Sequence, residues 1–385
     1  MKFLLSFLLL AGFAYAEPQD KPTFKSDQSQ IGKYFTGYKR RPLTQEEFQA
    51  TNEFSQQAVT EGWTFETDAR GISAFKDRIG GLKPGSFKGL PVIKLAADSD
   101  KFKSASLNDF GMPRAPIYDQ GQCGSCVPTA FTAGAMDLML QRGVNVPVLS
   151  AGAAMWCSNG DQCSGYWGEE MLNDMIRLGS LPSNADLPYV PQNGRCPDLS
   201  KFKRYGSFDG GSTIDGSAKS ILAAIHGQMP VMCGIAADNI FSSYRSGVYN
   251  PQSFSMATNH YLKVTGINCE DAVDADGNCA FDSKGNLPPG KGIIEIDNEW
   301  GTGYGDGGRI YMRLTNKAGK RTNNICGGSG NAQVLTTKIP LPPKGPVTFK
   351  IESNQATWEV TLDGVKYSTD EARTVLQRAL NSAGK

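Results

Sequence analysis

The chain has 385 residues, of which 39% are hydrophobic and 20% charged, and its formal net charge is +1 at pH 7. That length suits about two or three domains with real cores, and the composition excludes general disorder. A charge so close to zero leaves no electrostatic footprint for nucleic acid, so no such partner is expected.

Residues 1–16 read as a secretory signal. Lys2 is the charged start, Phe3 to Phe13 the apolar run and Ala14-Tyr15-Ala16 the cleavage site. The run falls short of the roughly 20 residues that a membrane span needs, and no later stretch reaches it. The expectation is an exported protein, secreted or periplasmic, without a span. Export favours disulfides among the nine cysteines and leaves one thiol over. Leu43 to Val59 has helical spacing, with Thr44 and Glu47 as a capping box and Phe48, Phe54 and Trp63 as apolar anchors. Gly80 to Gly89, rich in Gly and Pro, should be extended. The polar run Asp98 to Ser106 reads as exposed, which makes cleavage near Ala105 plausible.

Gln120-Gly121-Gln122-Cys123-Gly124-Ser125-Cys126-Val127-Pro128 leads from a glycine-rich loop into a helical pattern that stops near Gly143. Pro128 is tolerated only in the first helical turn, so Cys126 should stand at the helix N-terminus. There the helix dipole and unpaired N–H groups favour a thiolate, the nucleophilic form. Such a nucleophile needs a base, and only two histidines are available. His226 ends a helical run and suits the C-terminal dipole. His260 opens an alternating strand in which His260, Leu262 and Val264 share a face. Asn298, at the end of the strand Ile293 to Asn298, is the candidate that orients the imidazole.

Gln120 to Cys126, Asn259-His260 and Asn298-Glu299-Trp300-Gly301 to Gly308 together resemble the three signature blocks of papain-like cysteine proteases. The resemblance covers about Asn108 to Thr337. The gap from His260 to Asn298 is longer than in that pattern, and an insertion between Ile267 and Gly292 accounts for it. The resemblance implies a two-lobed α+β fold, a helical lobe followed by an antiparallel β-rich lobe with the active-site cleft between them. The strands at Pro230 to Ile235, Tyr261 to Thr265, Ile293 to Asn298 and Arg309 to Leu314 agree with that order. It also implies peptide-bond hydrolysis with polypeptides as substrates, no cofactor and no metal, and a monomer is expected. In that scheme Cys126 attacks, His260 takes its proton, Asn298 fixes the tautomer, and Gln120 with the Cys126 N–H binds the oxyanion. Trp300 would cover the Asn298–His260 contact, and Gly165 resembles the glycine whose backbone pairs with substrate.

The resemblance further implies the disulfides Cys123–Cys163 and Cys157–Cys196. Cys269 and Cys279 flank a short polar loop and suit a local pair, while the partners of Cys233 and Cys326 stay open. Cys126 is then the odd thiol. By position, residues 17–105 correspond to a pro-segment that blocks the cleft, although the family's usual helix signature is missing; residues 106–339 form the catalytic domain. Four positions depart from the family: Val127 for an aromatic, Glu299 for Ser or Thr, Tyr166 for the second glycine of a pair, and Tyr261 for a small residue. The two tyrosines read as narrowing the pocket for the substrate residue second before the cut.

Three rival readings remain. Cys123-Gly124-Ser125-Cys126 has the C-x-x-C form of a redox motif but lacks a surrounding βαβ pattern. Cys123, Cys126, Cys157 and Cys163 match a zinc ligand set, which the His and Asn blocks do not need. A papain-like scaffold kept for binding, its cleft narrowed by Tyr166 and Tyr261, is the main alternative to a peptidase. Asp271, Asp274, Asp276, Asn278 and Asp282 in the insertion do not follow an EF-hand spacing and read as a solvated loop. Residues 340–385 read as a stiff linker followed by three short strands, with a hairpin turn at Asp363-Gly364 and a closing helix.

Overall fold

In the computed structural model the described residues are 42–83, 103–327 and 332–341, with the backbone of three strands at 347–350, 359–362 and 365–367. The secretory signal, most of the extended stretch from Gly80 to Gly89 and the C-terminal helix lie outside them.

Thr44 caps helix α1 (Gln45–Glu61): its Oγ1 accepts from the Glu47 N–H at 3.2 Å, and Glu47 Oε2 accepts from the Thr44 N–H at 2.9 Å. The helix buries Glu47, Ala50 and Phe54. That phase leaves Phe48 58% exposed, so Phe48 is not an anchor. Strand β1 (Thr64–Thr67) and helix α2 (Arg70–Phe75) follow, and Phe65 stacks on Trp63 at 4.6 Å. Strand β2 (Ala105–Ser106) comes next.

The helical lobe holds α3 (Cys126–Gln141), α4 (Ala151–Trp156) and α5 (Gly168–Leu178). Helix α3 is buried along its whole length, which explains its almost unbroken apolar and small-residue sequence. A short pair, β3 (Leu181–Pro182) and β4 (Arg204–Tyr205), closes this lobe. The sheet lobe contains β5 (Gly210–Ile214), α6 (Ala218–His226), β6 (Val231–Ile235), α7 (Asn239–Ser243), β7 (Tyr244–Tyr249), β8 (His260–Asn268), β9 (Ile293–Asp297), β10 (Arg309–Arg313) and β11 (Ala332–Thr336). The sheet runs β1-β7-β10-β9-β8-β6-β11-β5, with β2 added to the far end of β8. Its pairs are antiparallel except β7 with β10. The architecture is the expected two-lobed α+β. Strands β12 (Val347–Lys350), β13 (Glu359–Leu362) and β14 (Val365–Tyr367) form a separate antiparallel sheet.

Two cores meet at β8. Leu262 and Val264 face the sheet-lobe core, while Tyr261 packs with Phe131 of α3 in the other, their rings 5.8 Å apart. Helix α3 thus lies across β8 and brings Cys126 toward the strand that starts at His260. Lys263, on the same side of β8, is 1% exposed and holds Asp137 of α3 at 2.5 Å and Asp297 of β9 at 3.1 Å. Arg114 bridges the same two carboxylates at 3.2 and 2.7 Å, and Arg309 holds Asp297 at 3.0 Å. This buried network ties the lobes together and fixes the β8–β9 register, in which Lys263 stands opposite Asp297. Burial pushes the Asp297 carboxyl up, but Lys263, Arg114 and Arg309 outweigh it and hold it at about 2.

Cys123 is bonded to Cys163, Cys157 to Cys196, Cys269 to Cys279 and Cys233 to Cys326, and Cys126 is the free thiol. In the insertion Asp274 accepts from the N–H groups of Asp276 and Asn278, and Asp282 from those of Lys284 and Asn286. These carboxylates serve their own turns. Among the described residues no helix is long and apolar enough to cross a membrane.

Replacing Lys263 by Met should cost about 3–5 kcal/mol in urea unfolding at neutral pH, because two buried carboxylates lose a partner. The Asp297 carboxyl is depressed on folding, so its contribution is present above the ordinary carboxylate range, near 3.8, and lost as pH falls through about 2. Unfolding curves of the parent chain should therefore shift to lower urea across that window.

Candidate active site

Cys126 stands at the first position of α3, after the cap residue Ser125. The loop before it is tied down at several points. The Cys123–Cys163 disulfide anchors it, the Gly124 N–H donates to Cys163 O at 3.0 Å, and the Tyr189 hydroxyl donates to Gln120 O at 2.7 Å while meeting Ser125 Oγ at 2.6 Å. The Gln120 N–H donates to Glu299 O at 2.8 Å, which joins this loop to the sheet lobe.

His260 Nε2 donates to Asn298 Oδ1 at 2.7 Å. An amide oxygen only accepts, so Nε2 carries the proton and Nδ1 is the free base; Nδ1 is buried and has no hydrogen-bond partner among the described residues. Extending the β8–β9 register past Asp297 sets Leu262 opposite Asn298 and His260 opposite Trp300. The Trp300 ring lies 4.8 Å from the imidazole and is 1% exposed, so it shields the His260–Asn298 bond. Cys126 Sγ meets the backbone of Tyr261, the residue after the histidine. The fold therefore brings Gln120, Cys126, His260, Asn298 and Trp300 to one place, although the two lobes are far apart in sequence.

Residues 75–83 lie over this place. Phe75 stacks on Trp300 with centroids 5.1 Å apart. Arg78 donates to Asp119 Oδ1 at 2.5 Å and to Trp300 O at 2.8 Å. Its carbonyl accepts from Gln120 Nε2 at 3.2 Å, and that amide also donates to Cys123 O at 2.7 Å. The Gly80 and Leu82 N–H groups donate to Asn259 O at 2.9 and 3.3 Å. Tyr166 N–H donates to Gly81 O at 2.9 Å, and Lys83 N–H to Tyr166 O at 3.0 Å, a parallel bridge. A Cβ at Gly81 would fall 2.6 Å from Cys126 Sγ and 2.5 Å from Gly124 O, so only glycine allows this approach. Leu82 is buried beside Thr258, in space that glycine at position 234 leaves open. Lys83 pairs with Asp161 and lies over the Trp167 ring.

Three sequence readings change here. The covering segment pairs with the Tyr166 backbone and not with Gly165, which leaves room for it, since a Cβ there would lie 2.9 Å from Gly81 O. The Tyr166 side chain does not narrow the cleft: it turns away, and its hydroxyl donates to buried Asp174 at 2.7 Å. Tyr261 points into the interlobe core, with its hydroxyl bonded to Gln333 and to Met232 O. The helix N-terminus was also expected to favour a thiolate. With residues 80–82 in place Cys126 is 0% exposed, and burial, followed by Glu299, pushes the thiol well above its ordinary range. A helix dipole contributes about 0.3–1 kcal/mol at an ordinary terminus, less than the several kcal/mol of desolvating a charge.

Sequence reasoning gave no role to Phe75, Arg78, Gly81 or Tyr189. The Gly80-Gly81 pair was the one usable signal for the close approach.

The family model described as papain family cysteine protease matches residues 108–336, more than half of the chain. The chain belongs to the papain family. It is 30% identical to mouse (Mus musculus) cathepsin S over 217 residues, 54% of this chain and 56% of that protein. It is 28% identical to falcipain-3 of Plasmodium falciparum (isolate 3D7) over 217 residues, 54% of this chain and 41% of that protein. The chain thus spans about half the length of the curated relatives it matches. The fold is similar to that of digestive procathepsin L2 from Tenebrio molitor larval midgut, with a TM-score of 0.60 and 21% identity over 77% of this chain and 96% of that one.

Burial lowers the His260 imidazole to about 4, with the Asn298 oxygen acting the other way. In the full chain His260 should stay neutral through mildly acidic pH and titrate near 4, which ring NMR can follow because there are two histidines in all. The unfolded chain takes up that proton nearer the ordinary value of 6.5, so stability should fall as pH drops from there to about 4.

Proposed function

We propose that the chain is a cysteine peptidase that hydrolyses peptide bonds through an acyl-enzyme on Cys126, and that it is made as an exported precursor held inactive by residues 45–83. The observation that carries this reading is the course of residues 78–83. They occupy the Gln120 amide, the approach to Cys126 and the Tyr166 backbone, while beneath them His260 stays bonded to Asn298 through Nε2. Once the segment leaves, Cys126 gives its proton to His260 Nδ1 and attacks the substrate carbonyl. Gln120 Nε2 moves its hydrogen bond from the Arg78 carbonyl to the oxyanion. The imidazolium then protonates the leaving amine, and neutral His260 activates the water that cleaves the thioester.

Ala105, expected from the sequence to be exposed and open to cleavage, is 6% exposed, and Ala105 and Ser106 pair with Ile267 and Gly266, so the sheet protects this boundary. The binding-scaffold alternative loses its main argument, since the Tyr166 and Tyr261 side chains do not fill the cleft.

The test is labelling with a peptidyl epoxide before and after limited proteolysis, with the adduct located by mass spectrometry. Cys126 should react only after the cut. Reaction of the uncut protein would remove the blocking role. A trimmed, folded protein that takes iodoacetamide but no epoxide would remove the peptidase reading. Replacing Gly81 by Ala should push the segment off the thiol and allow labelling of the uncut chain. In the trimmed enzyme, Gln120→Ala should lower kcat by about 10²–10³.

A further inference from the structure

Tyr189 meets the loop of the nucleophile at both ends. Its hydroxyl donates to Gln120 O at 2.7 Å and lies 2.6 Å from Ser125 Oγ. A phenol has one proton and a carbonyl only accepts, so that proton goes to Gln120 and the Ser125 hydroxyl donates to Tyr189. Partial burial pushes the phenol up to about 12, against the effect of the Ser125 bond, so Tyr189 stays a donor through the acid and neutral range.

Ser125 is the cap residue of α3, yet its side chain makes no capping bond. A capping serine ordinarily accepts from the N–H of the second or third helical residue. The third residue here is Pro128, which has no N–H, and the second is Val127. The Ser125 hydroxyl is drawn to Tyr189 instead. The cap therefore takes neither of the first N–H groups of α3, those of Cys126 and Val127.

The tyrosine is itself held. Its N–H donates to Asn184 Oδ1 at 2.9 Å, and the Leu187 N–H donates to Ser183 O at 3.0 Å. Ser150 Oγ, at the start of α4, donates to Leu187 O at 2.6 Å. Two residues beyond Tyr189, Pro191 lies against the loop at Gly121, where a Cβ would fall 2.9 Å from the proline Cβ. These bonds involve no residue of the covering segment, so its departure breaks none of them. The Gln120 amide, by contrast, has to let go of the Arg78 carbonyl, 3.2 Å away, when the cover leaves.

We propose that Tyr189 is a positioning residue for the oxyanion: its hydroxyl pins the Gln120 main chain and the residue whose peptide bond carries the Cys126 N–H, and so fixes the two donors relative to each other. Tyr189 touches no substrate atom in this scheme and acts through residues 120 and 126. Such donors stabilise a developing charge because they are already in place and need no reorganisation as it forms. The inference rests on the peptidase reading, which gives Gln120 Nε2 and the Cys126 N–H that task.

The test compares two thiol reagents on the full chain after limited proteolysis. A peptidyl aldehyde is attacked by Cys126 at its carbonyl carbon, and its oxygen takes the place of the oxyanion. Iodoacetamide is attacked at a saturated carbon and builds no oxyanion. Tyr189→Phe keeps the ring and removes the bridge. It should weaken aldehyde binding about tenfold and lower kcat on a peptide amide by a similar factor with KM little changed, a smaller effect than the factor of about 10²–10³ for loss of a donor itself. The alkylation rate, read on the plateau of its pH profile, should stay at the wild-type value. Equal aldehyde affinity in the two proteins would overturn the inference and leave the peptidase reading intact. A parallel loss with both reagents would also overturn it, because the tyrosine would then only hold the loop together. If the wild type takes iodoacetamide but no aldehyde, the inference and the peptidase reading fall together. Should Tyr189→Phe not fold, Ser125→Ala removes the other half of the bridge. A loss with the aldehyde alone then supports the inference, and no loss, or a loss with both reagents, overturns it.

Discussion

The hydrogen bond from His260 to Asn298 sets the terms for the rest of the site. It decides which imidazole nitrogen is free, and it does so only while water is kept out, because an exposed Asn oxygen would accept from solvent equally well. Trp300 supplies that exclusion, and Trp300 is itself wedged between Phe241, Tyr304 and, in the covered protein, Phe75. The bond also needs β8 and β9 in one register. Buried charges provide it: Lys263 and Asp297 stand opposite each other, and a slip by one residue would strand both ions on the wrong face. The polar network between the lobes and the dry aromatic cover over the imidazole therefore serve one geometric requirement from two sides.

The covering segment changes the chemistry of the groups beneath it as well as access to them. With Gly81 against the sulfur, the helix terminus that should favour a thiolate is overridden by burial, and the imidazole is held neutral for the same reason. Cysteine and histidine are thus both disfavoured in their charged forms while the segment lies over them. Covering these groups and discharging them are one physical effect.

Much of this was legible in the sequence. The Cys126, His260 and Asn298 blocks carry the site because each has a local reason to be there: a helix start, a strand start and a strand end. The capping box at Thr44 and the strand boundaries followed from short-range rules. What stayed hidden depends on packing between distant segments. Tyr166 and Tyr261 were read as cleft walls because side-chain direction cannot be seen without Asp174 and Gln333 in place. Phe48 was read as an anchor because helical spacing alone does not fix which face turns inward. Arg78 and Phe75 carry no local signature, since their partners, Asp119, Gln120 and Trp300, are brought to them only by the folded sheet.

The edge strand β1 has a further consequence. Thr64 to Thr67 pair with residues 244–248, and Gly80 and Leu82 with Asn259, so the contacts of the N-terminal segment with the large sheet lie in the later half of the chain, while Asp119, Gln120 and Tyr166 lie in the earlier half. During synthesis the segment emerges first and must wait, because its partners have not been made. His260 and Asn298 lie beyond those partners. By the time the ribosome has delivered His260 and Asn298, these sheet partners have been made too, and the segment is already present at high local concentration. The order of the chain thus gives the cover a head start on any outside ligand.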